Sequence, residues 1–185
     1  GPFQHSWQGT DPVILERGVS VAASVARWAA EADLAVGLIA NGAFPGQGRP
    51  IRIGVGQHPD RLNRILEALA AVSAFTMSSL ARELEGASTG ALPAGSTVVV
   101  VAAVMPDELA ATLLRLRGDG HYVQVVKTSE REWDANLGRI PVTDVSAFMA
   151  SEEAATALEL AADELASQSE TAPAGIAAAD VAVIG

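Results

Sequence analysis

The chain has 185 residues, with 22 acids against 12 bases, a formal net charge of -10 and no cysteine. This length predicts one domain with one core, and the lack of cysteine excludes a disulfide framework, a thiolate zinc site and an iron–sulfur cluster. No apolar run approaches the roughly 20 residues that a membrane span needs, and no basic, signal-like segment opens the chain.

The negative charge is concentrated in the last part of the chain. Residues 148–185 contain seven acids and no base, which leaves 15 acids and 12 bases in the preceding part. Eleven of the bases are arginines, and they are scattered along the chain. A phosphate-binding surface needs clustered cations, so no nucleic-acid partner is expected.

The chain first predicts a helix and a hairpin. Asp11 supplies an N-cap and Pro12 a first helical residue for a helix that runs to about Asp33, with small and apolar residues along one face. The segments 34–40 and 51–55 are predicted to be two strands. The loop between them is too short for a crossover helix, so the two strands should pair antiparallel.

The middle of the chain predicts further helices and strands. Helical spacing of apolar residues predicts two helices, over 58–72 and 75–86. The unbroken apolar run from Val98 predicts a buried strand, and Pro106 marks the start of the helix that follows it. Another strand is expected over 121–128. Because a strand, a helix and a strand come in succession, we expect a right-handed parallel crossover.

The last part predicts an edge strand, a helix and a tail. Pro141 places a short strand over 140–145 at a sheet edge. A helix is expected over 151–168, and beyond it small residues without a period predict a flexible tail over 169–185. The prediction is thus an α/β domain over 1–168 followed by that tail. The helix residues expected to face inward are Ala154, Leu158, Ala161 and Leu165.

The residues that end the apolar strand carry no catalytic chemistry. Ligands of open α/β sheets bind past the carboxyl ends of the strands, and here that position holds the uncharged run Ala102–Met105. Asp107 and Glu108 follow in the first turn of the next helix, where carboxylates favour the helix dipole. The sequence lacks the motifs of serine hydrolases, P-loop NTPases and zinc proteases. We therefore predict no catalytic residue and no cofactor.

One alternative is an α/β enzyme or nucleotide-binding domain that uses the turn Gly54–Gly56. This turn follows a strand and precedes a helix, as a phosphate-binding turn does. A dinucleotide fingerprint needs a third glycine where Pro59 stands, and a central parallel strand before the turn. A tight turn explains both glycines more simply. His5, His58 and His121 lack metal-ligand spacing and are expected at the surface or as helix caps.

Five segments together resemble the C-terminal part of the family called domain of unknown function 58. The resemblance implies a von Willebrand factor A-like fold, a doubly wound and mostly parallel sheet with one antiparallel edge strand. It also implies an adaptor for a MoxR-type AAA+ ATPase in assembly or maturation of protein complexes. The match covers about residues 7–145 and rests on the order and spacing of WQGTDPVILERGVSVAASVARWA, VGLIANG, RPIRIGVGQHPDRLNRILEALAAV, FTMSSLARELE and GSTVVVVAAVMPDELAATLLRLRGDGHYVQVV.

The resemblance also concerns localisation. It implies a cytoplasmic domain of a membrane-anchored protein with two transmembrane helices far upstream. Those helices are not in this sequence, so the chain is expected to be a fragment. Any membrane association is expected only through those helices.

Metal-binding von Willebrand A domains hold Mg²⁺ with oxygen ligands, and comparison with them predicts a degenerate site here. Gly1–Ser6 stand in the approximate place of the family's Asp-x-Ser-x-Ser loop and contain no Asp. The family's second Asp corresponds to the run Ala102–Met105. Thr76, with Ser78 nearby, keeps a hydroxyl where the family has a Thr. One hydroxyl does not hold a divalent cation, so no bound metal is predicted.

The leading hypothesis is a non-enzymatic interaction module that binds a protein partner at the uncharged strand end. The resemblance implies that the first, central strand lies mostly before residue 1, which would leave two parallel strands beside an unfilled gap. Each unpaired backbone group there would cost about 1–3 kcal/mol if buried, so the chain should be unstable or pair through the gap. The residues expected at the partner surface are Trp7, Phe75, Thr76, Met105 and Pro106.

Overall fold

The computed structural model describes residues 12–43, 47–72, 79–90, 92–167 and 181–184. Within these ranges the chain forms five helices and six strands. The helices are α1 (Pro12–Glu31), α2 (Pro59–Ala71), α3 (Leu80–Ser88), α4 (Asp107–Gly118) and α5 (Ser146–Ser167). The strands are β1 (Val36–Ala43), β2 (Pro50–Gly56), β3 (Thr97–Ala102), β4 (Tyr122–Lys127), β5 (Val142–Asp144) and β6 (Val181–Ile184).

All six strands form one sheet in the order β2-β1-β6-β3-β4-β5. β3, β4 and β5 run parallel, and β2 pairs antiparallel with β1 at one edge. β6 is antiparallel to both β1 and β3, so these two strands run in the same direction. The fold class is therefore α/β. The antiparallel hairpin, the parallel crossover and the edge position of β5 are confirmed. The prediction of a single antiparallel strand is wrong, because β6 also runs against β1 and β3.

The last strand, β6, occupies the central position where the sequence predicted an unfilled gap. Val181 lies opposite Ala40 of β1 and Val101 of β3, and the ladders on both sides run to Ile184. The predicted tail over 169–185 therefore differs from the structure at β6, while 168–180 lie outside the described residues. The physical reason is that a segment rich in β-branched residues meets two strand edges with free backbone groups.

Helices cover both faces of the sheet. The evidence is that successive side chains of β3 belong to two different apolar clusters, and each cluster also contains helix residues. Val98 and Val100 belong to the cluster that includes residues of α3 and α4. Val101 belongs to the cluster that includes Leu15 of α1 and Ile65 of α2. This gives three layers, with the sheet between two layers of helices. The carboxyl ends of β1, β3, β4 and β5 consequently meet at one edge, which we call the carboxyl edge.

The predicted inward face of α5 is wrong. The helix begins at Ser146, five residues before the predicted start, and the described residues at 154, 158 and 161 are exposed, with Leu158 72% exposed. Small and apolar residues at helical spacing favour a helix, but they do not supply an element for it to pack against. Among the described residues, no helix combines the length and the apolar character that a membrane span requires.

Candidate functional site

The predicted partner surface is only partly described. Met105 and Pro106 lie at the carboxyl edge between β3 and α4, whereas Trp7, Phe75 and Thr76 lie outside the described residues, as does Ser78. Met105 is 7% exposed and belongs to the core, so its side chain does not form an accessible surface. Pro106 is exposed and is the N-cap residue of α4.

The segment that follows β4 covers the end of β3. The Thr128 N–H donates to the Ala102 carbonyl at 3.1 Å, and the Ala103 carbonyl accepts from the Ser129 hydroxyl and from Trp133 Nε1, the latter at 3.2 Å. These bonds satisfy two strand-end carbonyls that would otherwise face solvent or a ligand. The crevice in which an open α/β sheet usually binds its ligand is therefore partly filled by the chain itself.

The lysine at the end of β4 is committed to internal contacts. The Lys127 side chain is 11% exposed, its Nζ lies 3.3 Å from the Asp144 carboxylate, and it stands 5.5 Å from the centre of the Trp133 ring. Asp144 also accepts from the Ser146 hydroxyl and N–H at 2.6 and 2.9 Å. These bonds, first that from the hydroxyl, lower the pKa of Asp144, and Lys127 adds to the shift. The carboxylate therefore caps α5 as an anion and is a poor general base near neutral pH.

A buried arginine joins three elements at the same edge. Arg17 of α1 is 6% exposed and donates from Nε and Nη2 to the two oxygens of Glu153 on α5, at 2.7 and 2.9 Å. Its Nη1 donates to the Thr128 carbonyl at 3.1 Å and lies 3.6 Å from the Glu130 carboxylate. The bidentate pair of Arg17 and Glu153 fixes the orientation of both side chains. This contact was not predicted from the sequence, because neither the helical period nor any motif marks Arg17 as buried.

Asn41 is a buried polar residue near the end of β1. It is 4% exposed, and its Oδ1 has no hydrogen-bond partner in the part of the chain that the structure describes. An unsatisfied buried acceptor costs about 1–3 kcal/mol. Asn41 directly follows Ala40, the β1 partner of Val181. The free amide oxygen therefore lies beside the position where β6 begins.

The turn predicted at Gly54–Gly56 is wrong, because these residues are the last three of β2, and they lie at the opposite edge of the sheet since β2 runs against the parallel strands. His58 caps α2 by accepting the Asp60 N–H at its Nδ1, at 3.2 Å, and Pro59 lacks an N–H. A Cβ on Gly56 would lie 2.8 Å from the Arg61 guanidinium. A phosphate needs free helix N–H groups and is repelled by the Asp60 carboxylate. The predicted capping role of His58 is confirmed.

A groove at this opposite edge is lined by basic side chains. It has a volume of about 510 Å³ and lies at the amino ends of β3 and β4. Arg117, Arg139 and His121 line it together with the exposed Tyr122, and its lining contains no acid. His121 Nδ1 is buried without a hydrogen-bond partner among the described residues. The lining contains no Ser, no Cys and no carboxylate, so the groove does not form a recognisable active site.

The described residues contain no group of three or more His, Cys, Asp or Glu side chains that could hold a metal ion. Gly1–Ser6, Thr76 and Ser78 lie outside those residues, so the degenerate metal site stays a prediction. Comparisons of the chain with protein-family models, curated proteins and solved structures found no match.

Proposed function

We propose that the chain is a non-enzymatic protein-interaction module of the von Willebrand A type, and that a partner binds its carboxyl edge. The antiparallel edge strand β2 supports this assignment of the fold, whereas β6 departs from it because it is antiparallel to both of its neighbours. Three polar side chains at this edge, those of Arg17, Lys127 and Ser129, bond to other parts of the chain. This commitment of Arg17, Lys127 and Ser129 to internal contacts is the observation that carries the proposal.

Part of the accessible surface at this edge is apolar. Val104 is 40% exposed and Pro106 is exposed, while the side chain of Met105 between them points into the core. An apolar surface that a partner covers gains about 25 cal/mol for each Å² removed from water. We therefore place Val104 at the partner surface, in addition to Pro106 and the predicted Trp7, Phe75 and Thr76. Met105 lies in the core beneath that surface.

The family resemblance supplies the partner and the place in the cell. A MoxR-type AAA+ ATPase is the proposed partner, and the module would act as its adaptor in the assembly or maturation of protein complexes. The domain would be cytoplasmic and anchored to the membrane through helices upstream of this sequence. Its acidic net charge of -10 is compatible with a protein partner and unfavourable for anionic lipid surfaces.

Affinity capture tests this proposal with variants matched in chemistry. Val104→Asp places a charge at the carboxyl edge, and Tyr122→Asp places one on an exposed residue at the opposite edge. We expect Val104→Asp to reduce recovery of the MoxR-type ATPase about tenfold, which corresponds to 1.4 kcal/mol, while Tyr122→Asp recovers as much as wild type. Equal recovery by both variants would exclude the proposed surface, and no recovery by wild type would exclude the partner.

The alternative of a nucleotide-binding domain finds little support. The segment Gly54–Gly56 is the end of strand β2 and lies at the amino ends of the parallel strands, opposite to the edge where such sheets bind ligands. A helix start already capped by His58 and followed by Asp60 has neither free donors nor a favourable charge for phosphate. Nucleotide binding that Gly56→Val abolishes would reverse this judgement.

A further inference from the structure

We propose that the central slot, defined as the space between Gly37–Ala40 of β1 and Val98–Val101 of β3, is a binding site for an extended apolar peptide of a partner protein. In this structure β6 of the same chain occupies the site, and the peptide of the partner would replace it. The inference goes beyond the proposed function, because it concerns the interior of the sheet and not the exposed surface of the carboxyl edge.

The two edges of the slot form one continuous strand-accepting surface. Each edge pairs with β6 over four successive residues, and the register places Ala182 opposite Ile39 on one side and Val100 on the other. An occupant therefore uses its N–H and C=O groups on both sides, as in β-strand addition to a sheet edge, but with twice the number of paired edges. Backbone pairing provides affinity that is largely independent of side chains.

The residues around the slot determine the chemistry of the occupant. Leu38 and Ala40 of β1 and Val101 of β3 belong to the apolar cluster on the α1 and α2 side. Val98 and Val100 of β3 belong to the cluster on the α3 and α4 side. A strand between them faces apolar surroundings on both faces, so a charged residue would be buried without a partner. The sequence of β6, Val-Ala-Val-Ile, satisfies this requirement.

The rest of the sheet keeps partners of its own when β6 leaves. β1 remains paired with β2, and β3 remains paired with β4. α1 contacts both β1 and β3 and thus bridges the two halves of the sheet. The departure of β6 therefore opens two strand edges without removing the other strand pairs. This distinguishes β6 from β3, whose removal would break the parallel crossover.

The chain length between α5 and β6 permits both occupation and exchange. α5 has 22 residues, which corresponds to about 33 Å of helix. The thirteen residues 168–180 can span at most about 45 Å, so Val181 can reach the slot from the end of α5. Because β6 is tethered through thirteen residues, an external peptide competes with the local concentration of this strand.

Peptide binding to the full chain tests the proposal. The probe is a fluorescein-labelled peptide of residues 177–185, and its anisotropy is measured with wild type and with Ala182→Pro. In a strand paired on both sides each N–H faces a neighbour, so proline removes a ladder bond and weakens β6. The variant should bind the peptide at least about tenfold more tightly than wild type, because a tethered strand competes at a millimolar effective concentration. A peptide with the same proline should not bind.

A disulfide lock provides a second measurement that does not depend on the proline variant. Val100 and Ala182 are Cα partners, and the separation of about 4.5–5.5 Å for such pairs suits a disulfide. The chain has no other cysteine, so Val100→Cys/Ala182→Cys can form only this intramolecular bond. The oxidised protein should exclude the peptide and the reduced protein should bind it. Equal binding in both states, or no saturable binding to either Ala182→Pro or the reduced protein, would overturn the proposal.

Discussion

Removal of the Glu153 carboxylate tests whether one buried arginine holds α5 against the domain. Arg17 is 6% exposed in the structure, and Glu153→Ala removes two of its bonds, of 2.7 and 2.9 Å. The Thr128 carbonyl and the Glu130 carboxylate are among its remaining partners. Breaking a buried ion pair costs about 3–5 kcal/mol when the charge is left uncompensated, and hydrogen bonds to charged groups contribute about 1.5–3 kcal/mol.

The range for hydrogen bonds to charged groups applies here, because Arg17 keeps part of its hydrogen bonding. We expect Glu153→Ala to reduce the free energy of unfolding by about 2–3 kcal/mol. Arg17→Met should cost less, about 1–2 kcal/mol, because the freed Glu153 side chain is already 37% exposed and becomes hydrated. Glu152→Ala is the matched control, since Glu152 is an exposed neighbour on the same helix, and it should stay within about 0.5 kcal/mol of wild type.

Two assays distinguish unfolding of the whole domain from opening of α5. Urea unfolding followed by circular dichroism gives the free energy of unfolding, and hydrogen exchange of residues 150–161 reports the opening of α5 alone. Faster exchange in α5 of Glu153→Ala but not of Glu152→Ala would match the expectation even if the helix detaches before the domain unfolds. Identical unfolding midpoints and identical exchange in the two variants would refute the reasoning that this contact holds α5.

Three further comparisons test the described geometry. Met105→Asp should lower the free energy of unfolding by more than about 3 kcal/mol in urea unfolding, whereas Val104→Asp should cost less than about 1 kcal/mol, because only the first buries a carboxylate. Gly37→Ala places a Cβ 2.6 Å from a backbone oxygen of β2 and should cost about 1–3 kcal/mol, while Gly54→Ala has open space and should lower the melting temperature little. In the folded protein the hydrogen bonds to ionised Asp144 hold its pKa below 3.8. The stability that these bonds add to the folded state is therefore present above that pH and is lost as pH falls through the folded-state pKa. Wild type should thus exceed Asp144→Asn in stability near pH 7, and the difference should disappear as pH falls through the folded-state pKa of Asp144.

The local pattern predicted the sheet where strand and helix signals were strong. The run from Val98 and the helical spacing after Pro106 predicted β3 and α4, and the short loop before β2 predicted the hairpin. These elements depend on hydrophobic periodicity and loop length, which are readable from adjacent residues. The apolar face predicted for α1 is also confirmed, since Leu15, Ala22, Ala26 and Ala29 are buried and Val19 packs at the core boundary.

The features that the sequence analysis missed depend on residues that are distant in the chain. β6 pairs with strands about 80 and 140 residues earlier, and a four-residue apolar segment carries no signal of such pairing. Arg17 and Glu153 are separated by 136 positions, and each would be an ordinary exposed charge on an isolated helix. The same limit explains α5, whose apolar residues favour a helix without determining what covers it. At the candidate site, the burial of Met105 required knowledge of the segment that crosses the end of β3.

The central slot and the carboxyl edge are physically connected at the start of β6. Val181 pairs with Ala40 and Val101, which stand one residue before Asn41 and Ala102. A peptide that binds in the direction of β6 and extends beyond four residues must continue over this edge, because its N-terminal side emerges there. It would pass the unpartnered Asn41 Oδ1, to which a backbone N–H could donate, and approach the exposed Val104. A partner segment in the slot and a partner surface at Val104 would therefore be neighbouring parts of one interface. Val104→Asp should consequently weaken binding of an N-terminally extended peptide and leave binding of a peptide limited to residues 181–185 unchanged.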